Sequence, residues 1–288
     1  NMLLILSCKY CFNGYSHMGV FFVTQNREIA VSANNGLKHF SEIASKYRHL
    51  RTTDLGPILH IKNQLHEKSG TVMADVGCGD GRYSLELLKS FGEKYYLHCI
   101  DSNENMLMHL KEYLKENNTM NFCVRPGDAN KLPLENDSMD CIVTFNAIHH
   151  FDIQRFLAEV FGCLKDDGKV FIYTRLRNQN SRNIWGQHFP LFADIENRLF
   201  EFYELKHHIQ KAGMRIDHTK VFGHHRTSSL DNLVEKAQNH HYSTFALYGD
   251  DTFEKSLEAF KQNIRDNFED LEKIQWQDEN ILLQIGKY

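Results

Sequence analysis

Residues 71–83 form an apolar run that meets Gly77, Gly79 and Gly81 at alternate positions and then continues into a helical pattern. Glycines packed this closely mark a chain that turns sharply with its backbone bare, so that something can approach without meeting a Cβ atom. A strand, a glycine turn and a helix in that order are the first unit of an open α/β sheet. Ligands of such sheets lie outside the carboxyl ends of the strands.

The rest of the chain repeats the unit. Apolar strand-like runs at 71–76, 95–100, 121–125, 141–145, 169–175 and 215–222 alternate with helix-period segments at 83–91, 105–117, 153–164 and 196–212. Such alternation predicts an α/β fold: a doubly wound, mainly parallel sheet with helices on both faces. Three stretches fall outside it. Residues 36–70 read as two N-terminal lid helices, the first run broken at Leu55-Gly56-Pro57. Residues 177–195 are polar with isolated aromatics. Residues 228–270 hold two amphipathic helices, about 230–238 and 252–268, and a last strand follows at 280–285. These are expected to form a helical lid rather than a cleanly separate domain, with Trp276 packing the lid onto the sheet edge. Residues 71–288 then make one ligand-binding domain with lid insertions at about 177–195 and 228–270. Residues 1–35 are an N-terminal extension in which Ser16-His17-Met18 resembles a cloning junction, so the first 17 residues are set aside.

The glycine turn also carries charge. A dinucleotide turn has the spacing GxGxxG and offers bare helix-terminal N–H groups to a diphosphate, whereas this one reads GxGxG and brings Asp75 and Asp80 to the same place. That suits a cationic sulfonium ligand with an ammonium group. Asp101 ends the second strand, where a carboxylate can accept from both hydroxyls of a ribose. Its plain alternative is a helix cap, a task that Ser102, Asn103 or Glu104 can also perform. After the third strand Asp128 can accept from an adenine amino group, and Ala129 offers a backbone N–H. The fourth strand delivers residues 146–150, Asn146-Ala147-Ile148-His149-His150, into the cleft.

With these elements in order, followed by Leu164-Lys165-Asp166-Asp167-Gly168-Lys169 and by residues 205–214, the chain resembles the class I S-adenosylmethionine-dependent methyltransferases, particularly those acting on small molecules. The resemblance covers about residues 71–222. It implies a seventh strand antiparallel to the others, S-adenosyl-L-methionine as cofactor and S-adenosyl-L-homocysteine as product. By it Asp75, Gly77, Cys78 and Gly79 shape the methionine end, Asp101 and Ser102 hold the ribose, Asp128 and Ala129 the adenine, and Asn146 the methionine moiety through its backbone.

Methyl transfer is a direct displacement, so such a site has to align the acceptor and, for weakly acidic O or N nucleophiles, take a proton. His149 and His150 lie at the strand end nearest the expected methyl. Either is a base there, or both only pack around the methionine group. Tyr47, Arg51, Arg226, His241 and Tyr242 are the candidate acceptor-binding residues, because arginine forks suit carboxylates and neighbouring His and Tyr donate hydrogen bonds. The same residues at helix ends can equally be solvated. The expected acceptor is a small molecule bearing O or N, including carboxylates and peptides. The competing reading is a protein that binds S-adenosylmethionine without transferring its methyl, as a sensor or partner subunit.

Composition narrows the partners. Lys and Arg total 33 against 37 Asp and Glu, a formal charge of −4. No basic footprint for nucleic acid is present. No run of apolar residues approaches membrane-spanning length. The seven cysteines are mostly inside apolar runs, which suits reduced thiols in a cytoplasmic protein. Cys8 and Cys11 form a lone CxxC, and the His-His pairs lack ligand spacing, so no metal is expected.

Overall fold

The computed structural model describes residues 51–65 and 70–288. The expectations for Cys8, Cys11, Tyr47 and the first N-terminal helix lie outside these residues. Seven strands make one sheet in the order β3-β2-β1-β4-β5-β7-β6. They are β1 (Thr71–Val76), β2 (Tyr95–Asp101), β3 (Phe122–Pro126), β4 (Met139–Phe145), β5 (Leu164–Thr174), β6 (Met214–Ser228) and β7 (Ile274–Lys287). The first five pair in parallel, and β7 runs antiparallel between β5 and β6. This is the doubly wound arrangement that the alternation and the resemblance predicted.

Side chains alternate across each strand, so neighbours in sequence feed opposite faces. Ile142, Val170 and Ile172 pack with Phe156, Leu157 and Val160 of α4 (Ile153–Cys163) and with Leu205 and Ile209 of α8 (Phe202–Lys211). Met73, Val143 and Phe171 face the other way, onto α1 (Leu55–Gln64), α2 (Arg82–Phe91) and α3 (Glu104–Glu116). Helix α1 corrects the lid expectation: its Ile58 and Ile61 are fully buried in this sheet-face core rather than over the cleft. Leu55-Gly56-Pro57 stands where the second helix begins: Asp54 before it is extended, and Pro57 sits in the first turn of α1, where no intrahelical N–H bond is lost.

The two insertions make a third core of their own. Trp185 of α6 (Ile184–His188) and Phe192 of α7 (Phe192–Ile195) pack with Leu233 of α9 (Leu230–Gln238) and with Phe253, Leu257 and Phe260 of α10 (Asp250–Asn267). A four-residue helix, α5 (Arg177–Asn180), leads into the first insertion. The second insertion hangs from a ribbon: β6 pairs with β7 from Met214↔Lys287 out to Ser228↔Ile274, whereas β5 pairs only with Ile281 to Ile285 of β7. Residues 223–228 and 274–279 therefore project past the sheet and carry α9 and α10. Trp276 lies inside this last strand, not before it, and packs against the lid core. The helix expected over 196–212 begins only at Phe202, because Glu196 is drawn into a buried ion pair with Arg198.

Candidate active site

Two adjoining cavities open at the carboxyl ends of β1, β4 and β5. The smaller, about 280 Å³, is lined by Asp75, Gly77, Cys78, Gly79, Asp80, Arg82, Tyr83 and Phe145. Its backbone demands glycine in two different ways. Gly77 has φ 73°, and a Cβ there would lie 2.6 Å from the Ala147 Cβ, so the strand ends meet in contact. Gly79 has φ 56° and nothing within 4 Å of where a Cβ would point. That open space is a cradle, and a side chain would fill it. Tyr83 stacks on Phe145 with centroids 4.2 Å apart at the wall.

Carboxylates surround the cradle. Asp75 is 1% exposed; Ser84 Oγ donates to its Oδ2 at 2.7 Å, and its Oδ1 has no hydrogen-bond partner among the described residues. Burial, with Asp101 nearby, pushes the Asp75 carboxyl up to about 7 despite the Ser84 hydrogen bond. Asp101 accepts from Gly79 N–H at 2.8 Å and from Asn103 N–H at 2.9 Å; burial raises it too. The cap of α3 is Asn103, whose side chain accepts from Met106 N–H, so Asp101 is not needed as a cap. An orphaned buried carboxylate oxygen beside a cradle without Cβ atoms fits a ligand that brings an ammonium group and a second cation. Ser102, Asp128 and Ala129 follow β2 and β3 and line neither cavity; Asp128 accepts from Asn130 N–H at 2.8 Å.

Arg82 lines both cavities and leads into the larger cleft, about 1150 Å³. Its guanidinium stacks 4.4 Å over Tyr83 and donates to the Thr52 carbonyl at 2.6 Å. At the junction Asn146 adopts φ 53°, a left-handed conformation uncommon outside glycine. Its N–H donates to Tyr173 O at 2.7 Å and its Oδ1 accepts from Asn280 at 2.9 Å. The backbone donor at Asn146 is thus spent on Tyr173, while the residue itself lines the larger cleft. His149 and His150 follow, rings 4.1 Å apart. His149 Nδ1 has no partner among the described residues. Burial and the charges of Arg198, Arg51 and Arg175 hold its imidazole well below the usual histidine range, hence neutral.

The cleft brings together Arg51, Arg226, His241 and Tyr242 from the predicted acceptor set. Arg51 stacks 4.2 Å over Tyr242 and donates to the His241 carbonyl at 3.1 Å. Arg226 is not a free fork: it spans Asp54 at 2.7 Å and Asp278 at 3.3 Å. His241 is 5% exposed and its Nδ1 donates to the Lys236 carbonyl at 3.0 Å; burial and Arg51 keep it neutral. Sequence reading missed Arg175, which reaches Asp278 at 3.4 Å and lies 5.5 Å from the Tyr242 ring, and also Lys236. Arg175 follows the apolar end of β5 as Asp101 ends β2 and Asn146 follows β4, and that shared position was the available signal. Glu196 is held below the usual carboxylate range because hydrogen bonds from Arg198 and Thr244 outweigh its burial. Among the described residues no three His, Cys, Asp or Glu side chains group as a metal site, and no helix is long and apolar enough to cross a membrane.

The profile of a family described as a methyltransferase domain matches residues 73–168, from β1 into β5. Over these residues the chain carries a class I S-adenosylmethionine-dependent methyltransferase domain. An uncharacterized chloroplastic methyltransferase of Arabidopsis thaliana is 28% identical over 142 residues, 48% of this chain and 38% of that protein. A demethylmenaquinone methyltransferase of Lactobacillus johnsonii is 29% identical over 140 residues, 47% of this chain and 57% of that protein. The chain thus spans less than two thirds of these relatives. A methyltransferase structure from an antibiotic biosynthesis pathway of Anabaena variabilis superposes with TM-score 0.58 at 22% identity, covering 81% of this chain and 98% of that one. The family's cofactor is S-adenosylmethionine, and the orphaned Asp75 oxygen and the Gly79 cradle fit it.

Proposed function

We propose that this methyltransferase-family chain moves the methyl group of S-adenosylmethionine to an O or N atom of a small molecule bound in the larger cleft. The observation that carries the reading is the adjacency of two unlike cavities across Arg82: an acidic glycine cradle, and a polar cleft reached by Asn146 and His149. When bound, the cofactor supplies an electrophilic methyl on sulfur. Asp75 takes its ammonium, the bare backbone at Gly77, Cys78 and Gly79 lets the methionine end approach, and Asp101 and Ser102 hold the ribose. Asp128 and Ala129 extend the same row to the adenine. Asn146 marks where the two ligands meet.

Of the histidine pair, His149 is the base for acceptors that must lose a proton. It is neutral, its Nδ1 is uncommitted, and it lines the cleft. A protein that only binds the cofactor has no use for a second cleft so rich in buried charge. The relatives' acceptors do not carry over, because Arg51, Arg175, Arg226, Lys236 and Tyr242 all lie outside the matched residues 73–168.

Titration calorimetry with S-adenosylmethionine, S-adenosylhomocysteine and NAD tests the reading. Both sulfur ligands should bind and NAD should not. Asp101→Ala should weaken them by about 1–3 kcal/mol, roughly 5- to 150-fold in Kd. Unchanged affinity in that variant removes Asp101 from the site, and binding of NAD alone removes the transfer reading.

A further inference from the structure

Among the described residues the charges on the cleft wall do not cancel. Asp54 and Asp278 are its two acids on the ribbon side, and they are shared among Arg226, Arg175 and His224. His224 is neutral, because burial lowers it below the usual histidine range. Glu196 is matched by Arg198. That leaves Arg175, Arg226 and Lys236 against two carboxylates. Lys236 makes no hydrogen bond or ion pair through its ammonium among the described residues, and the Arg175 Nε is buried without a partner. Both lie near Tyr242 and Asp278: the Arg175 guanidinium is 5.5 Å from the Tyr242 ring, and Lys236 is close enough to Arg226 and Asp278 to feel their charge.

Both cations stand on anchored segments. The Lys236 carbonyl accepts both the backbone N–H of His241 at 3.1 Å and its Nδ1 at 3.0 Å, which fixes the end of α9 against the lid core. Arg175 is held at the end of β5 by Asp278, which also accepts from the Trp276 indole at 3.2 Å. Excess positive charge held in a protein-walled cleft is costly unless a counter-charge arrives, and an incoming anion supplies it.

We propose that the acceptor is an anion, and that its carboxylate or phosphate group is taken up between Lys236 and Arg175 beside Tyr242, with Arg51 closing over the ring. Arg226 instead serves as a strut between Asp54 and Asp278. The inference rests on the larger cleft being the acceptor site, as argued above. The carboxylate or phosphate is a handle on the acceptor, and the methylated O or N is a different atom turned toward Asn146 and His149.

The test uses the full chain saturated with S-adenosylhomocysteine, with inorganic phosphate and benzoate as probes and sodium chloride at matched ionic strength as control. Phosphate, benzoate or both should raise the melting temperature where chloride does not, and the response says which group the handle resembles. Lys236→Met should weaken the effective anion by about tenfold or more, Lys236→Arg should restore it, and S-adenosylhomocysteine affinity should be unchanged in both. No response beyond chloride in the wild type, or full response in Lys236→Met, overturns the anion site while leaving methyl transfer untouched. An anion response from a protein that binds no S-adenosylhomocysteine keeps the anion site and removes the transfer reading instead.

Discussion

Asp75, Gly77, Cys78 and Gly79 come from five consecutive residues, while the cleft next to them draws Arg51, Arg175, Arg226, Lys236 and Asp278 from segments spread over most of the described chain. The smaller cavity is acidic and shaped by backbone; the larger is cationic and shaped by side chains on two insertions and a ribbon. The glycine turn is fixed by contacts within the sheet, such as Gly77 against Ala147, so it tolerates little change. The part of the larger cleft's wall that comes from the insertions rests on the separate core of the lid, apart from the strand ends. One scaffold can in this way keep a ligand and exchange the partner that ligand reacts with.

The largest expected effect tests whether the two regions are energetically separable. Trp185 stacks on Phe260 at 5.1 Å and sits 4.9 Å from His241, inside the lid core and on the cleft wall. Trp185→Ala should cost about 3–5 kcal/mol of stability, most of it from the lid, and should cut acceptor turnover while leaving S-adenosylhomocysteine affinity within about twofold. Calorimetric melting combined with ligand titration checks this. A parallel collapse of cofactor affinity would mean that the lid and the glycine turn form one cooperative unit.

Next in size is the group at the junction. His149→Gln should lower turnover about 10²- to 10⁴-fold for an acceptor that must lose a proton, with cofactor affinity retained. Burial and the charges of Arg198, Arg51 and Arg175 keep the imidazole deprotonated well below the ordinary histidine range. Turnover should therefore hold steady through neutral pH and fall only at distinctly acid pH, as the base is lost to protonation. A midpoint at or above the ordinary histidine value would show that His149 is not the titrating base, and wild-type turnover in His149→Gln leaves it a packing role.

The same contrast explains what could be read from the sequence. Strands β1 to β5 announce themselves as apolar runs between turns, and the small glycine-lined cavity follows because its residues are local to those turns. Residues 274–279 of β7 are largely polar or charged and did not read as strand, since they pair with β6 in a ribbon outside the sheet core and turn Ile274 and Trp276 onto the lid core instead. Leu199 and Phe200 extend the helical period of α8 backwards, yet the buried Glu196–Arg198 pair holds that stretch irregular. Arg226 looked like a free fork because its two carboxylates, Asp54 and Asp278, lie 172 and 52 residues away in sequence. Arg175 is marked in the sequence by nothing more than its place after a strand, and Lys236 by no local pattern at all; folding sets both beside one charge-sharing acid.

The smallest effect sharpens the acidic side of the comparison. Asp75 titrates near 7 because it is buried and faces Asp101, against an ordinary value of 3.8. A carboxyl raised on folding holds its proton more tightly in the native state, so its contribution to stability is complete below about pH 4 and is lost as pH rises toward 7. A ligand ammonium beside the free Oδ1 reverses that preference and ionises the group. Binding of S-adenosylhomocysteine at pH 7 should then release on the order of half a proton, and almost none above about pH 8.5, where Asp75 is already ionised. Binding enthalpies in buffers of different ionisation heat, phosphate and Tris, measure the number directly. Asp75→Asn should abolish the release. If the wild type releases no proton at pH 7, the ammonium lies elsewhere and the cradle is held by the backbone at Gly77 and Gly79 alone.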